Sequence, residues 1–161
     1  MSDQLQGWIP MPQDVDIVKS EMANPLFYQA APLLKGSGKG KIALLHDNFK
    51  KLGIPFPLRF QKIGDCVSMG AALANDTLKV TEIVNGEREA WVAETATEDL
   101  YSGSRVIIGG NRISGDGSIG AWVVKYMHED KFGTLARIKY EFADMTKYDG
   151  NRARLWGSKR M

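Results

Sequence analysis

The stretch from Cys66 to Leu78, C-V-S-M-G-A-A-L-A-N-D-T-L, constrains the fold more than any other part of the chain. Its small or apolar residues occur on every side of a helical projection, with Val67 and Ala71 on one face and Gly70 on another. A helix that is apolar all round is normally buried. The sequence therefore predicts a central buried helix that starts at Cys66.

The composition suits a single globular domain with a hydrophobic core. The chain has 161 residues, of which 43% are hydrophobic, and its formal charge is only +2. This balance gives no net field that would attract nucleic acid, so a nucleic-acid partner is not expected. The single cysteine excludes an intramolecular disulfide, and neither a signal peptide nor an apolar run of about 20 residues is present. We expect a cytoplasmic or virion-associated protein that does not span a membrane.

Proline spacing separates the first 40 residues from the rest. Residues 1–40 contain four prolines, which limit helices and predict an extended N-terminal arm with one short helical piece near residues 15–22. Residues 41–161 are then the folded domain. It opens with a helix over residues 41–52, whose end is marked by Gly53.

An Asn-Gly pair supplies the clearest strand signal. Asn85 and Gly86 interrupt the segment V-T-E-I-V-N-G-E-R-E-A-W-V, residues 80–92, and this pair is typical of a type I′ hairpin turn. Residues 135–142 alternate weakly, as a strand does. Together with two further amphipathic helices, near residues 97–103 and 119–127, this pattern predicts an α+β fold with an inserted β-hairpin.

Five glycines lie between residues 103 and 117, a density that has two explanations. They could permit tight turns, or they could let the backbone approach a ligand closely. The G-D-G-S stretch at 115–118 resembles a fragment of a calcium loop, but it lacks the further acids and the terminal glutamate. No metal site and no cofactor are predicted.

Two motifs carry a resemblance to a known family. The segment Q-K-I-G-D-C-V-S-M-G at the start of a small-residue helix, followed later by I-G-G-N-R-I-S-G-D-G-S-I-G-A-W, is similar to the N-terminal, helical half of papain-like cysteine peptidases. The likeness extends to papain-related proteins of phage and environmental bacterial genomes. It covers roughly residues 45–157.

The resemblance implies a role for each matching position. Cys66 would be the nucleophile, since a helix N-terminus stabilises the negative charge of a thiolate. Gln61 would donate a hydrogen bond to the oxyanion formed when the thiolate attacks a carbonyl carbon. The substrate backbone would lie along the glycine-rich loop, whose matching positions are Gly109, Gly110, Gly115 and Gly117.

Three features depart from the family pattern. The interval from Gln61 to Cys66 is one residue shorter than usual, and Asp65 places a negative charge beside the nucleophile. Only 95 residues follow Cys66, whereas the family's histidine lies about 130–150 residues beyond its cysteine. Neither His46 nor His128 matches that histidine. We therefore expect the β-rich second half to be absent and the isolated chain to be inactive.

Two functions remain open at this point. The chain is either a cysteine peptidase, or its relic, completed by a histidine-bearing segment or partner, or it is a non-catalytic assembly protein such as a phage virion component. A lone cysteine is often only a small buried apolar residue. In either case, a peptide substrate or a protein partner would dock where the β-rich half lies in the family, and the chain could form homo- or hetero-oligomers.

Overall fold

The computed structural model describes Ile9 and residues 11–21, 44–87, 90–129 and 133–158. Their regular elements are helical. The helices are α1 (Pro12–Glu21), α2 (Asp47–Lys51), α3 (Cys66–Val84), α4 (Thr97–Ser102), α5 (Gly120–His128) and α6 (Gly150–Gly157), and α4 continues directly into a π-helical segment, Gly103–Ile108.

Helix α3 is the longest element, with 19 residues, and it begins at Cys66 as predicted. Its inner face packs on α4 and α5 in a core cluster formed by Ala72, Leu100, Val123 and Tyr126. The predicted burial on all sides is wrong, because Gly70, Ala74 and Leu78 on the outer face are exposed. α3 therefore lies at one side of the described structure, and the face that it exposes is formed by small and apolar residues.

The predicted α+β fold with an inserted β-hairpin is wrong. The Asn-Gly pair ends α3, with Gly86 at a φ of 91°. The Gly86 N–H donates to the Ile83 carbonyl (3.1 Å) and the Glu87 N–H donates to the Glu82 carbonyl (3.0 Å), which together form a Schellman cap. A glycine at positive φ fits either a hairpin turn or a helix cap, and Gly86 forms the helix cap.

No strand occurs in the described part of the chain, where β pairing is limited to isolated bridges. One bridge joins Thr95 to Ala136 and the other joins Lys139 to Asp144, so the segment predicted as a strand at 135–142 is irregular. In contrast, the predicted helix near residues 119–127 is confirmed by α5, which buries Trp122.

The short helix predicted near residues 15–22 of the N-terminal arm is confirmed, although it begins earlier in the chain. Residues 12–21 form α1, whose Asp14 carboxylate accepts hydrogen bonds from the Trp122 indole of α5 and from Arg112 (3.3 Å). The other positions of the predicted arm, apart from Ile9 and Met11, lie outside the described residues.

The start of the helix predicted over 41–52 also lies outside the described residues. The described part of that helix, α2, ends at Lys51. Gly53, which has a φ of 67°, follows its C-cap and stops the helix as predicted.

The cap of α3 leads to a stability prediction. Gly86→Ala should lower the free energy of unfolding by about 1 kcal/mol, because an L-residue is strained at positive φ. Gly70→Ala is the matched control, since a Cβ at Gly70 meets no atom within 4 Å and alanine favours a helix interior. It should leave stability unchanged or raise it by up to about 1 kcal/mol. Urea unfolding of both variants measures this, and equal effects would contradict the assigned cap.

Candidate functional site

Cys66 lies at the first position of α3, with its side chain exposed to solvent. Among the described residues, none forms a hydrogen bond with its thiol. Gln61 is also exposed, on the extended segment that leads into the helix. Between them, Ile63 is buried against Tyr101 and Ala153 and anchors this segment to the core. The predicted nucleophile and the predicted oxyanion donor are thus both exposed, on either side of the buried residues 63–65.

The Gly115-Asp116-Gly117 turn lies next to this stretch. The Asp116 carboxylate forms an ion pair with Arg154 at 2.8 Å, and it lies near the backbone N–H of Gly64. The Arg154 hydrogen bonds and charge lower the pKa of Asp116, and the Gly64 N–H helps to lower it. Part of the glycine-rich loop is therefore adjacent to the start of the Cys66 helix, as expected for a loop that contributes to the same site.

A buried arginine holds the glycine-rich loop in place. The Arg105 guanidinium, only 4% exposed, donates to the carbonyls of Ile113 (3.0 Å), Gly117 and Gly157 (3.1 Å). It stacks on the Tyr101 ring, 5.0 Å from the ring centroid. Sequence reasoning missed Arg105, because no local pattern distinguishes an arginine that binds three distant carbonyls from one that faces solvent.

Gly109 and Gly110 have structural reasons to be glycine. A Cβ at Gly109 would lie 2.3 Å from the Trp122 ring, so α5 could not pack there with a larger residue. Gly110 has a φ of 58° and is followed by Asn111 at 57°, which together form a left-handed turn. The substrate-binding role of these two glycines stays a prediction, and tight packing accounts for Gly109.

Asp65 is the titratable group nearest to Cys66 in the sequence. Its carboxyl is fully buried, and the Tyr148 hydroxyl donates to its Oδ2 at 2.7 Å, while Oδ1 has no partner in the described structure. Burial raises the pKa of Asp65 to about 6.

Among the described residues, no hydrogen bond joins either histidine to Cys66. His46 precedes α2 and lies 3.4 Å from the Asp47 carboxylate. The α2 residue Asn48 donates to Thr81 of α3 at 3.0 Å, and Thr81 is about 22 Å along the helix from Cys66, given 1.5 Å per residue. His128 is the last residue of α5 and is exposed. The site as described has a thiol and an amide but no imidazole.

Comparison of the sequence with protein-family models, with curated proteins and with solved structures gave no match. Within the described ranges, no three His, Cys, Asp or Glu side chains are grouped so that they could hold a metal ion. None of the helices seen there has the length and apolar character needed to cross a bilayer.

Proposed function

We propose that this chain carries the nucleophile and an oxyanion donor of a papain-type cysteine peptidase site. The observation that carries the proposal is the exposed thiol of Cys66 at the N-terminus of a 19-residue helix, five positions after the exposed Gln61. Unpaired backbone N–H groups in the first turn of a helix stabilise negative charge, which favours the reactive thiolate.

The reaction would proceed by acyl transfer. The Cys66 thiolate attacks the carbonyl carbon of a peptide bond, a C–S bond forms, and the carbonyl oxygen becomes an oxyanion that accepts a hydrogen bond from the Gln61 amide. Collapse of this intermediate breaks the C–N bond, and the leaving amine takes a proton from a general acid. Water then hydrolyses the thioester and regenerates the thiol.

The proton carrier has to come from outside the described site. A histidine would accept the thiol proton and return it to the leaving amine, as a general base and then a general acid. In the described structure neither histidine is hydrogen-bonded to Cys66, and we therefore expect the isolated chain to lack peptidase turnover. A further segment or a partner chain that brings an imidazole to Cys66 would complete the site.

The proposed role of Gln61 is tested by comparing two reactions of the same thiol. p-Nitrophenyl acetate acylates a thiolate through an oxyanion, whereas iodoacetamide alkylates it without one. Gln61→Ala should slow acylation of Cys66 by about tenfold and should leave alkylation unchanged. This effect is smaller than the roughly 10²–10³ that one oxyanion donor contributes in a complete active site, because the site here lacks its general base. Both rates are followed by mass spectrometry of the intact protein, with Cys66→Ser as the blank. Equal changes in the two rates would contradict the oxyanion role.

An apolar surface supports the second candidate, an assembly protein. Leu58 and Phe60 are 76% and 78% exposed and line one cavity, while Val92, 69% exposed, lines the neighbouring one. Glu94 and Arg137 border both cavities, so the three apolar side chains belong to one surface. Exposed apolar area of this kind is typical of protein interfaces. If Cys66 proves unreactive, this surface becomes the functional one.

A further inference from the structure

A cavity of about 330 Å³ opens beside the N-terminal half of α3, a size suited to a small ligand or a single side chain. One wall is apolar, with Leu58, Phe60 and Met69. The charged groups around it are Arg59, Lys62, Glu94 and Arg137.

Arg59 has hydrogen-bond donors that the described protein does not use. Its side chain is only 9% exposed, and its Nη2 pairs with the fully buried carboxylate of Asp76. That carboxylate is also bound by Thr95, through the backbone N–H (2.9 Å) and the hydroxyl (2.6 Å). The Nε and Nη1 groups of Arg59 are buried and have no partner. Buried guanidinium donors without acceptors are costly, and a bound acceptor would satisfy them.

The other cations of the cavity differ in how far they are already neutralised. Arg137 donates to Glu98 at 2.9 Å and to Thr97 at 3.1 Å, so its charge is paired. Lys62 is exposed and its ammonium lies 5.9 Å from the centre of the Tyr148 ring, with no ion pair among the described residues. The donors beside the cavity that have no protein partner are therefore the buried Nε and Nη1 groups of Arg59 and the solvent-exposed ammonium of Lys62.

We propose that this cavity binds the carboxylate of a ligand whose short apolar part packs on Leu58, Phe60 and Met69. Arg59 and Lys62 would donate to the carboxylate oxygens, since charge-assisted hydrogen bonds of this kind are the stronger ones. Because Nε and Nη1 of Arg59 are covered in the described structure, binding requires a small shift of the Arg59 side chain or of its neighbours toward the cavity. The inference does not depend on peptidase activity.

The acids around the cavity favour a carboxylate over a phosphate. The Glu94 carboxylate lies 3.7 Å from Arg59 Nη2 and faces the same space. The buried carboxylates of Asp76 and Glu98 lie behind the two arginines. A phosphate carries a charge of about −1.5 to −2 at neutral pH and would be repelled more strongly than a monoanion. Two sources share the required chemistry, a free carboxylic acid and an acidic side chain of a peptide.

The test is an NMR titration of the full chain labelled with ¹⁵N, in which the Arg59 Nε–H signal reports directly on the site. N-Acetyl-L-glutamate should shift this signal in a saturable way, whereas the neutral N-acetyl-L-glutamine should not. Lys62→Gln removes an attractive, partly exposed charge and should weaken binding by about threefold. Glu94→Gln removes a repulsive, partly exposed charge and should tighten binding by about threefold. Arg59→Lys keeps the charge but loses the two donors, and it should weaken binding by about tenfold.

The outcomes separate the proposal from its alternatives. Binding of the glutamine analogue as tight as that of the glutamate, tighter binding of inorganic phosphate, or no shift with any probe would overturn it. Lys62→Gln and Glu94→Gln change solvent-accessible side chains, so they keep the test valid even if Arg59→Lys does not fold. With binding established, a glutamate-containing tetrapeptide that binds more tightly than the free acid indicates a peptide source, and equal affinities indicate a free acid.

Discussion

Arg105→Ala should lower the free energy of unfolding by about 3–5 kcal/mol, the largest effect we expect from a single substitution. The guanidinium is buried and binds the carbonyls of Ile113, Gly117 and Gly157, which come from two separate stretches of chain. Its removal leaves these carbonyls without their partner and opens a cavity beside the Tyr101 ring. Urea unfolding followed by circular dichroism measures the loss.

Arg154→Ala is the matched control for this substitution. Arg154 is also an arginine that binds the glycine-rich loop, through Asp116 at 2.8 Å, but its side chain is 54% exposed. An exposed ion pair contributes only about 0–1 kcal/mol. A comparable loss of stability in both variants would contradict the role assigned to Arg105.

Stability should fall as the pH is raised from about 5 to about 8, against the usual behaviour of carboxyl groups. Burial raises the pKa of both Asp65 and Asp99 to about 6, above the ordinary value of 3.8. Between these two values the folded state binds more protons than the unfolded state, so each rise in pH favours unfolding. Each carboxyl contributes up to about 3 kcal/mol, which is present below pH 3.8 and lost as the pH rises through 6.

Two variants isolate the carboxyl groups responsible. Asp65→Asn and Asp99→Asn keep an oxygen that can accept from the Tyr148 and Tyr126 hydroxyls, respectively, but neither titrates. Each should remove about half of the decrease in unfolding free energy between pH 5 and pH 8. Urea unfolding at several pH values provides the measurement. A wild-type protein whose stability is constant or rises over this range would contradict the assignment.

Local signals in the sequence located the ends of several helices. Gly53 and Gly86 both occupy positive-φ positions after a helix, and Cys66 begins α3. The first signal was interpreted correctly, and the second was assigned to a hairpin. A glycine at positive φ satisfies either structure, and only the packing of residues 79–84 against their neighbours decides between them.

The buried ion pairs could not be predicted from the sequence. Asp76 was placed within an apolar run, yet its fully buried carboxylate pairs with Arg59, and Glu98 pairs in the same way with Arg137. Each pair joins residues that are distant in the chain, 17 and 39 positions apart. Periodicity describes which face of a helix is polar, but it does not say which distant cation will neutralise a buried acid.

The roles of Cys66 and Gln61 stay predictions. The resemblance selected Cys66 and Gln61, and both are exposed where a site requires access. It gave no indication of the cavity beside them or of the unsatisfied donors of Arg59, because these depend on contacts among α3, the extended segment before it and residues near 94 and 146.

The most direct test of the proposed function is the alkylation rate of Cys66 in the intact protein between pH 5.5 and 8, measured by mass spectrometry with iodoacetamide. Cys66→Ser is the blank, and a short peptide with one cysteine is the reference thiol. A nucleophile stabilised at a helix N-terminus should react at least several-fold faster than the peptide near pH 6, where few ordinary thiols are ionised. A rate equal to or below that of the peptide across the range would contradict the proposal.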